Sequence, residues 1–340
     1  MRKHLHHLHI IILTGIILLV FILILINMEN ERLSLSQNTT FGVSFTPSYA
    51  KDLGLDPKET YNSLLTELNV KNLRLSAHWD GIEPIKDSFN FRDLDWYIDQ
   101  ASQNHAQVIL AIGYKLPRWP ECRKPDWLKS RHPEFISGSF LRERQLLMLE
   151  KVIEHYEDNP TITSFQLENE PLLEFGECPK IDRDFFKKEV EFVRNKIDKP
   201  IIITDSGELR PWVTPMKLSD IFGTTLYRVV ATPWIGPFQY PFRPWMYRVK
   251  SELIRKIFAK ENQKTIISEL QAEPWAMQSL TEIPIETQLE HFSLEKLKEN
   301  VDFARRTGFS ESYLWGVEWW FYLKENNHPE YLEFAKSLFK

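Results

Sequence analysis

The chain has 340 residues, 43% of them hydrophobic, and a formal net charge of −5. That composition supports a large buried core and argues against disorder. Lys and Arg are interspersed with Asp and Glu and form no basic stripe, which argues against a nucleic-acid partner. The unusual count is 11 Trp, a residue that fills cores and also lines sugar clefts by stacking its face on C–H surfaces.

Residues 1–9 carry Arg2 and Lys3, and residues 10–27 are apolar apart from Thr14, Gly15 and the closing Asn27. Glu29 and Glu31 follow. A positive flank before an apolar run of this kind reads as a secretory signal or a single membrane anchor with its basic end in the cytoplasm. No small-residue cleavage site follows, so an uncleaved signal-anchor is the expectation. Residues 28–40 then act as a tether, and the remainder stands on the extracytoplasmic side of the cell membrane, or is secreted if the segment is cleaved. His4, His6, His7 and His9 read as residues flanking the anchor rather than as a metal site.

From Phe41 onward, strand-like runs alternate with helix-like ones. The predicted strands are Phe41 to Phe45, Asn72 to Ser76, Gln107 to Ile112, the stretch Thr161 to Pro171, Pro200 to Thr204, Ile221 to Tyr227, Thr265 to Glu269 and Ser312 to Val317. Helices are predicted over about Lys58 to Leu68, Phe91 to Asn104, Phe140 to Tyr156, Asp184 to Ile197, Arg248 to Glu261, Leu294 to Thr307 and Tyr331 to Leu338, with a short piece near Met216. Runs such as VILAI and PIIIT are nearly all apolar, as strands of a parallel sheet covered on both faces are. Eight strand–helix units without an internal linker predict one (β/α)8 barrel over residues 41–340. An open doubly wound sheet is the alternative, but the first turn, FGVSFTP, lacks the Gly-rich pattern such folds use.

Function in such barrels sits at the C-terminal strand ends, and here those ends are polar and aromatic. The fourth strand runs into Asn169, Glu170 and Pro171, and the proline stops the strand just after a carboxylate. The seventh ends at Glu269. Two carboxylates on opposite sides of a barrel mouth are what glycosidic cleavage with retention needs: one protonates the leaving oxygen, the other attacks the anomeric carbon, about 5–5.5 Å away. Glu273, also before a proline, competes for the second role but lies beyond the strand. Cys122 and Cys178, the only cysteines, fall in the loops after the third and fourth strands. On an exported chain they are expected to bridge and pin those loops.

The stretches LRLSAHW (Leu73 to Trp79), LENEP (Leu167 to Pro171), IISE (Ile266 to Glu269) and LWGVEWW (Leu314 to Trp320), with Tyr227 closing the sixth strand, resemble the clan A glycoside hydrolases, the retaining (β/α)8 group of cellulase-like and β-galactosidase-like enzymes. The resemblance implies Glu170 as general acid/base and Glu269 as nucleophile. It implies substrate-binding roles for Asn169 at a sugar 2-hydroxyl, Arg74 and Tyr227 beside the nucleophile, Trp315 as the floor under the reacting ring, and His78 and Trp79 in the same subsite. Trp119, Trp127, Trp234 and Trp275 are loop aromatics divided between cleft and packing, and Lys115 and Arg118 are cations that bind sugar groups or face solvent. The expected partner is a β-linked oligo- or polysaccharide, with no cofactor and no metal; oligomeric state is not readable. Two other classes compete: a carbohydrate-binding barrel without catalysis, and a metal-dependent barrel hydrolase, which would need clustered His ligands at the strand ends.

Overall fold

The computed structural model describes residues 12–22, 24, 39–129, 138–232, 236–260, 262–276 and 278–339. Its centre is a closed barrel of eight parallel strands. In chain order these are β1 (Thr40–Ser44), β2 (Asn72–Ser76), β3 (Gln107–Ile112), β4 (Ile162–Leu167), β5 (Ile201–Asp205), β6 (Ile221–Leu226), β9 (Lys264–Gln271) and β10 (Glu311–Trp315). Between β6 and β9 lies a small antiparallel hairpin, β7 (Val229–Thr232) with β8 (Gly236–Gln239). The barrel closes through β1 against β10, and β6 pairs directly with β9.

Several helices have a local cause in their caps. Asp56 accepts from the Lys58 and Glu59 amides and precedes Pro57, which starts the helix Pro57–Thr66. Asp182 caps Arg183–Arg194 in the same way. Leu294–Thr307 opens on Ser293 and ends at Gly308 in the left-handed region, φ +76°. The outward strand faces and the helices share one large core that includes Val43, Leu73, Leu110, Phe165 and Leu314. Inside the barrel, Ile109, Ile202, Ile266 and Tyr313 form a separate layer, the packed interior such barrels require. Gly42 makes room for it: a Cβ there would stand 2.7 Å from the Tyr313 ring.

The structure departs from the sequence expectation in several places. The β7–β8 hairpin forms in a segment where no strand is predicted. The last barrel strand ends at Trp315, because Gly316 turns left-handed (φ +102°) and starts a helix, Val317–Glu325. Trp319 and Trp320 on that helix are fully buried, their indole N–H groups donating to Gln288 and to the Ala272 carbonyl. Residues 12–22 and 24 of the expected anchor are helical, but among the described residues no helix is long and apolar enough to cross a membrane. The rest of 10–27, the histidine cluster, nearly all of the tether and Trp234 lie outside the described residues.

Candidate active site

The site starts from one break in strand geometry. Along β4, Ser164 and Gln166 alternate with Phe165 and Leu167, all buried. After Leu167 the backbone turns left-handed at Glu168 (φ +57°) and again at Glu170 (φ +42°), conformations that cost a non-glycine residue energy and need support. Glu168 supplies part of it. Its buried carboxylate accepts from the Tyr114 and Lys115 amides at 2.8 and 2.6 Å and from Gln145 Nε2 at 2.9 Å. It lies against Gly113, where a Cβ would stand 2.5 Å from Glu168 Oε1. Lys115 Nζ donates to the Glu170 and Leu173 carbonyls, so this cation ties the loops together beneath the site. With alternation broken, the consecutive residues Asn169 and Glu170 both reach groups at the barrel mouth.

Arg74, the middle residue of β2, is the hub. Only 2% exposed, it donates from Nη1 to Glu269 Oε1 at 2.9 Å, from Nη2 to Asn169 Oδ1 at 3.0 Å, and from Nε to Gln166 Oε1 at 2.7 Å. Ser44 Oγ and the Ser268 carbonyl, each at 3.3 Å, accept from Nη1. The planar fork thus joins β1, β2, β4 and β9, which a single-point cation could not do. Tyr227, one residue past β6, donates its hydroxyl to Glu269 Oε2 at 2.8 Å. Both oxygens of Glu269 therefore face donors.

Glu170 lies in a different setting. Thr225 Oγ1 donates to its Oε1 at 3.2 Å, and its own amide donates to Thr204 Oγ1 at 2.9 Å. Thr225 pairs with Glu269 across β6 and β9. The Glu170 carboxyl is thus bonded to the residue directly beside Glu269, which brings the two acidic groups within electrostatic reach of each other. Burial, then the charges of Glu269 and Glu121, pushes the Glu170 carboxyl well above the usual carboxylate range. The two groups are 7% and 4% exposed.

The loop after β3 crosses the mouth. Arg118 donates from Nη1 to Glu273 Oε1 at 2.5 Å and has Nη2 3.6 Å from Glu318. Its guanidinium lies 3.5 Å from the Tyr49 ring centre and 3.9 Å from that of Trp315. Tyr49 also donates to Glu273 Oε2 at 2.8 Å. Glu273 is thus committed to Arg118 and Tyr49, on the far rim from the loop that carries Arg118. Above, ring contacts run from Trp119 to Phe175 to Trp275 to Tyr227 to Trp315 with centroids 5.2–5.9 Å apart.

Most of the sequence-derived site residues converge here: Glu170, Glu269, Asn169, Arg74, Tyr227 and Trp315. His78 stands at the N-terminal boundary of the short helix Trp79–Ile82, without a side-chain capping bond. Burial holds its imidazole down to about 3, and neither ring nitrogen has a hydrogen-bond partner among the described residues. Trp79 is the correction. It is 1% exposed, donates to Glu83 Oε2 at 2.8 Å and packs edge-on against Tyr114 and Trp127. It is core, because the helix Trp79–Ile82 turns its ring beneath the loops rather than into the mouth. Cys122 and Cys178 form the expected disulfide, with Cα atoms 5.3 Å apart. Sequence reasoning missed Gln166, Thr225 and Glu121. The first two look like ordinary polar positions near strand ends, and Glu121 sits in a loop without a motif. The signal for Gln166 was present: a long amide between the apolar Phe165 and Leu167, on the same side of the strand as Ser164.

The family model for β-galactosidases of glycoside hydrolase family 42 matches residues 58–199. The β-galactosidase BgaA of Clostridium cellulovorans is 25% identical over 127 residues, which is 32% of this chain and only 18% of that protein's length. Among solved structures, a GH5_18 protein from Bifidobacterium longum subsp. longum aligns with a TM-score of 0.59 at 14% identity, covering 82% of this chain and 69% of its own. Xylanase 10B from Thermotoga petrophila, solved with xylobiose, aligns with a TM-score of 0.53 at 15% identity over 83% and 84%. The β-galactosidase of Bacillus circulans sp. alkalophilus aligns at 0.53 and 13% identity over 82% and 50%. In barrel topology and in this family match, the chain has the (β/α)8 fold of the clan A glycoside hydrolases.

Proposed function

We propose that the protein is a retaining glycoside hydrolase that cleaves a β-linked glycan by double displacement. The observation that carries this reading is the contrast between two neighbouring carboxyl groups. Glu269 accepts hydrogen bonds from Arg74 and Tyr227, the donor pair that suits the nucleophile. Glu170 is held in its acid form by burial and by Glu269 itself, and so is the proton donor. In the first step a Glu269 oxygen bonds to the anomeric carbon as the glycosidic C–O bond breaks, and the Glu170 proton passes to the leaving oxygen. Esterification removes the Glu269 charge, and Glu170, now ionised, becomes the base. In the second step it takes a proton from water as that water's oxygen displaces Glu269 from the anomeric carbon.

Arg74 and Tyr227 hold the nucleophile in place, Asn169 addresses the sugar 2-hydroxyl, and Trp315 lies under the reacting ring. The unpartnered nitrogens of His78 suit a sugar hydroxyl in the same subsite. The disaccharides named with solved relatives, Manb1-4GlcNAc and xylobiose, are neutral, and a neutral β-linked glycan suits the paired charges of this mouth. The apolar segment 10–27 fits a tether that holds the barrel outside the cell. Fractionation of cells expressing the full chain tests that part, and full-length protein in the soluble cytosolic fraction would refute it.

An activated aryl β-glycoside tests the chemistry. Glu269→Ala should abolish turnover, and azide should restore it with an α-glycosyl azide as product. Glu170→Ala with azide should give the β-azide. Equal wild-type turnover in both variants would remove the pair from the mechanism. A binding-only barrel is the second reading, favoured by how little of the pair is exposed; absence of turnover on every aryl glycoside, with retained sugar binding, would select it.

A further inference from the structure

The loop after β3 brings a third carboxylate to the site. Glu121 is 5% exposed and sits in left-handed backbone, φ +68°. Asn169 Nδ2 donates to its Oε1 at 3.0 Å, and Lys115 Nζ lies 3.3 Å from its Oε2. The other end of the Asn169 amide faces Arg74, whose Nη2 donates to Oδ1 at 3.0 Å. A flipped amide would set its NH2 against a guanidinium and its oxygen against a carboxylate. The Arg74 guanidinium on one side and the Glu121 carboxyl oxygen on the other therefore fix which way Asn169 points.

Glu121 is itself held by the neighbouring loop. Cys122, the next residue, is bonded to Cys178. The Glu177 amide donates to the Pro120 carbonyl at 3.0 Å. Gly176 packs so close that a Cβ there would stand 2.8 Å from Glu121 Oε2. The bridge thus clamps the β3 and β4 loops around the Glu121 carboxylate. The charged groups facing it are Lys115 on its own loop, Glu170 past β4 and Glu269 on β9.

We propose that Glu121 is a positioning residue for the glycosidase site, orienting the Asn169 amide for the sugar, and that the Cys122–Cys178 bridge acts on catalysis by holding Glu121 in place. This rests on the glycosidase reading above. Its consequence is redox dependence at an enzyme whose catalytic groups contain no sulfur.

The test compares wild type, Glu121→Gln, Glu121→Ala, Cys122→Ser/Cys178→Ser and the triple variant with Glu121→Ala, each confirmed folded by circular dichroism. The readouts are kcat, KM and pH profile on the best aryl β-glycoside. Glu121→Ala should lower kcat by about 10²-fold with a smaller change in KM, the scale of a misplaced contact. Glu121→Gln retains an acceptor for Asn169 and should recover most of that kcat. Its alkaline limb should move to lower pH, because one negative charge facing Glu170 is gone. The bridge-free variant should lose activity, and the triple variant should be no worse than Glu121→Ala, since both act through one contact. Wild-type kcat and pH profile in Glu121→Ala would overturn the proposal, as would losses in the triple variant that multiply. If the alanine variant fails to fold, an unmoved alkaline limb in Glu121→Gln overturns it alone. No turnover by the wild type would instead defeat the glycosidase reading, and this inference with it.

Discussion

Arg74→Met is the most informative single change. Methionine keeps much of the length and removes the charge and the fork. It leaves Glu269, 4% exposed, with Tyr227 as its remaining donor, and strips a donor from Gln166 and from Asn169. Breaking a buried ion pair from one side costs about 3–5 kcal/mol. With an unfolding entropy of about 2.1 cal/mol/K per residue over roughly 300 residues, that lowers the melting temperature by about 5–8 °C. The second variant, Arg74→Met/Glu269→Gln, removes both charges and should recover most of the loss, because no carboxylate is left uncompensated. Activity should behave otherwise. Arg74→Met should lower kcat on an aryl β-glycoside by about 10²–10³-fold, the scale of losing one preorganised donor, and the double variant should be inactive. Calorimetry at neutral pH with parallel kinetics reads both. A melting temperature in Arg74→Met within about 2 °C of wild type, or a double variant less stable than either single one, would refute the account of Arg74 as the charge hub.

Burial pushes Glu168, Glu208 and Glu318 each up to about 7. The folded chain then keeps protons that the unfolded chain has released, so their contribution to stability is lost as pH rises from about 4.5 through about 7. Melting should therefore come earlier at about pH 8 than at about pH 5.5, and a higher midpoint at pH 8 would contradict those assignments. Gly113→Ala puts a Cβ into the Glu168 carboxylate at φ +131°; it should destabilise by about 1–3 kcal/mol and lower kcat, and a neutral result in urea titration would show that Glu168 does not brace the β4 end. Trp79→Phe should lower the melting point with little change in KM, whereas Trp315→Ala should raise KM or lower kcat with a smaller stability loss; the reverse pattern would return Trp79 to the cleft.

Strand and helix content was legible where a buried strand is a short apolar run, as Gln107–Ile112 is, and where a helix carries its caps, as Asp56 with Pro57 and Ser293 with Gly308 do. Glu170, Glu269, Arg74 and Tyr227 were legible because each stands within two residues of its strand's end or just beyond it, where a parallel barrel places its chemistry. Trp79 was misread since an aromatic after a strand looks the same whether it turns up into the mouth or down among Tyr114 and Trp127. The helical start at Val317 was hidden by a run, VEWW, whose bulky residues suit strand and buried helix alike.

Pattern along the chain determined the eight-unit barrel and which strand ends carry acid groups, because periodicity and turn residues act over a few neighbours. Which groups share a proton, a charge or a rim was settled only by closure of the barrel. Arg74 meets Glu269, Glu121 meets Asn169, and Arg118 crosses to Glu273, although each pair is far apart in sequence. Those meetings depend on strand register and loop path, and local propensity carries no information about either.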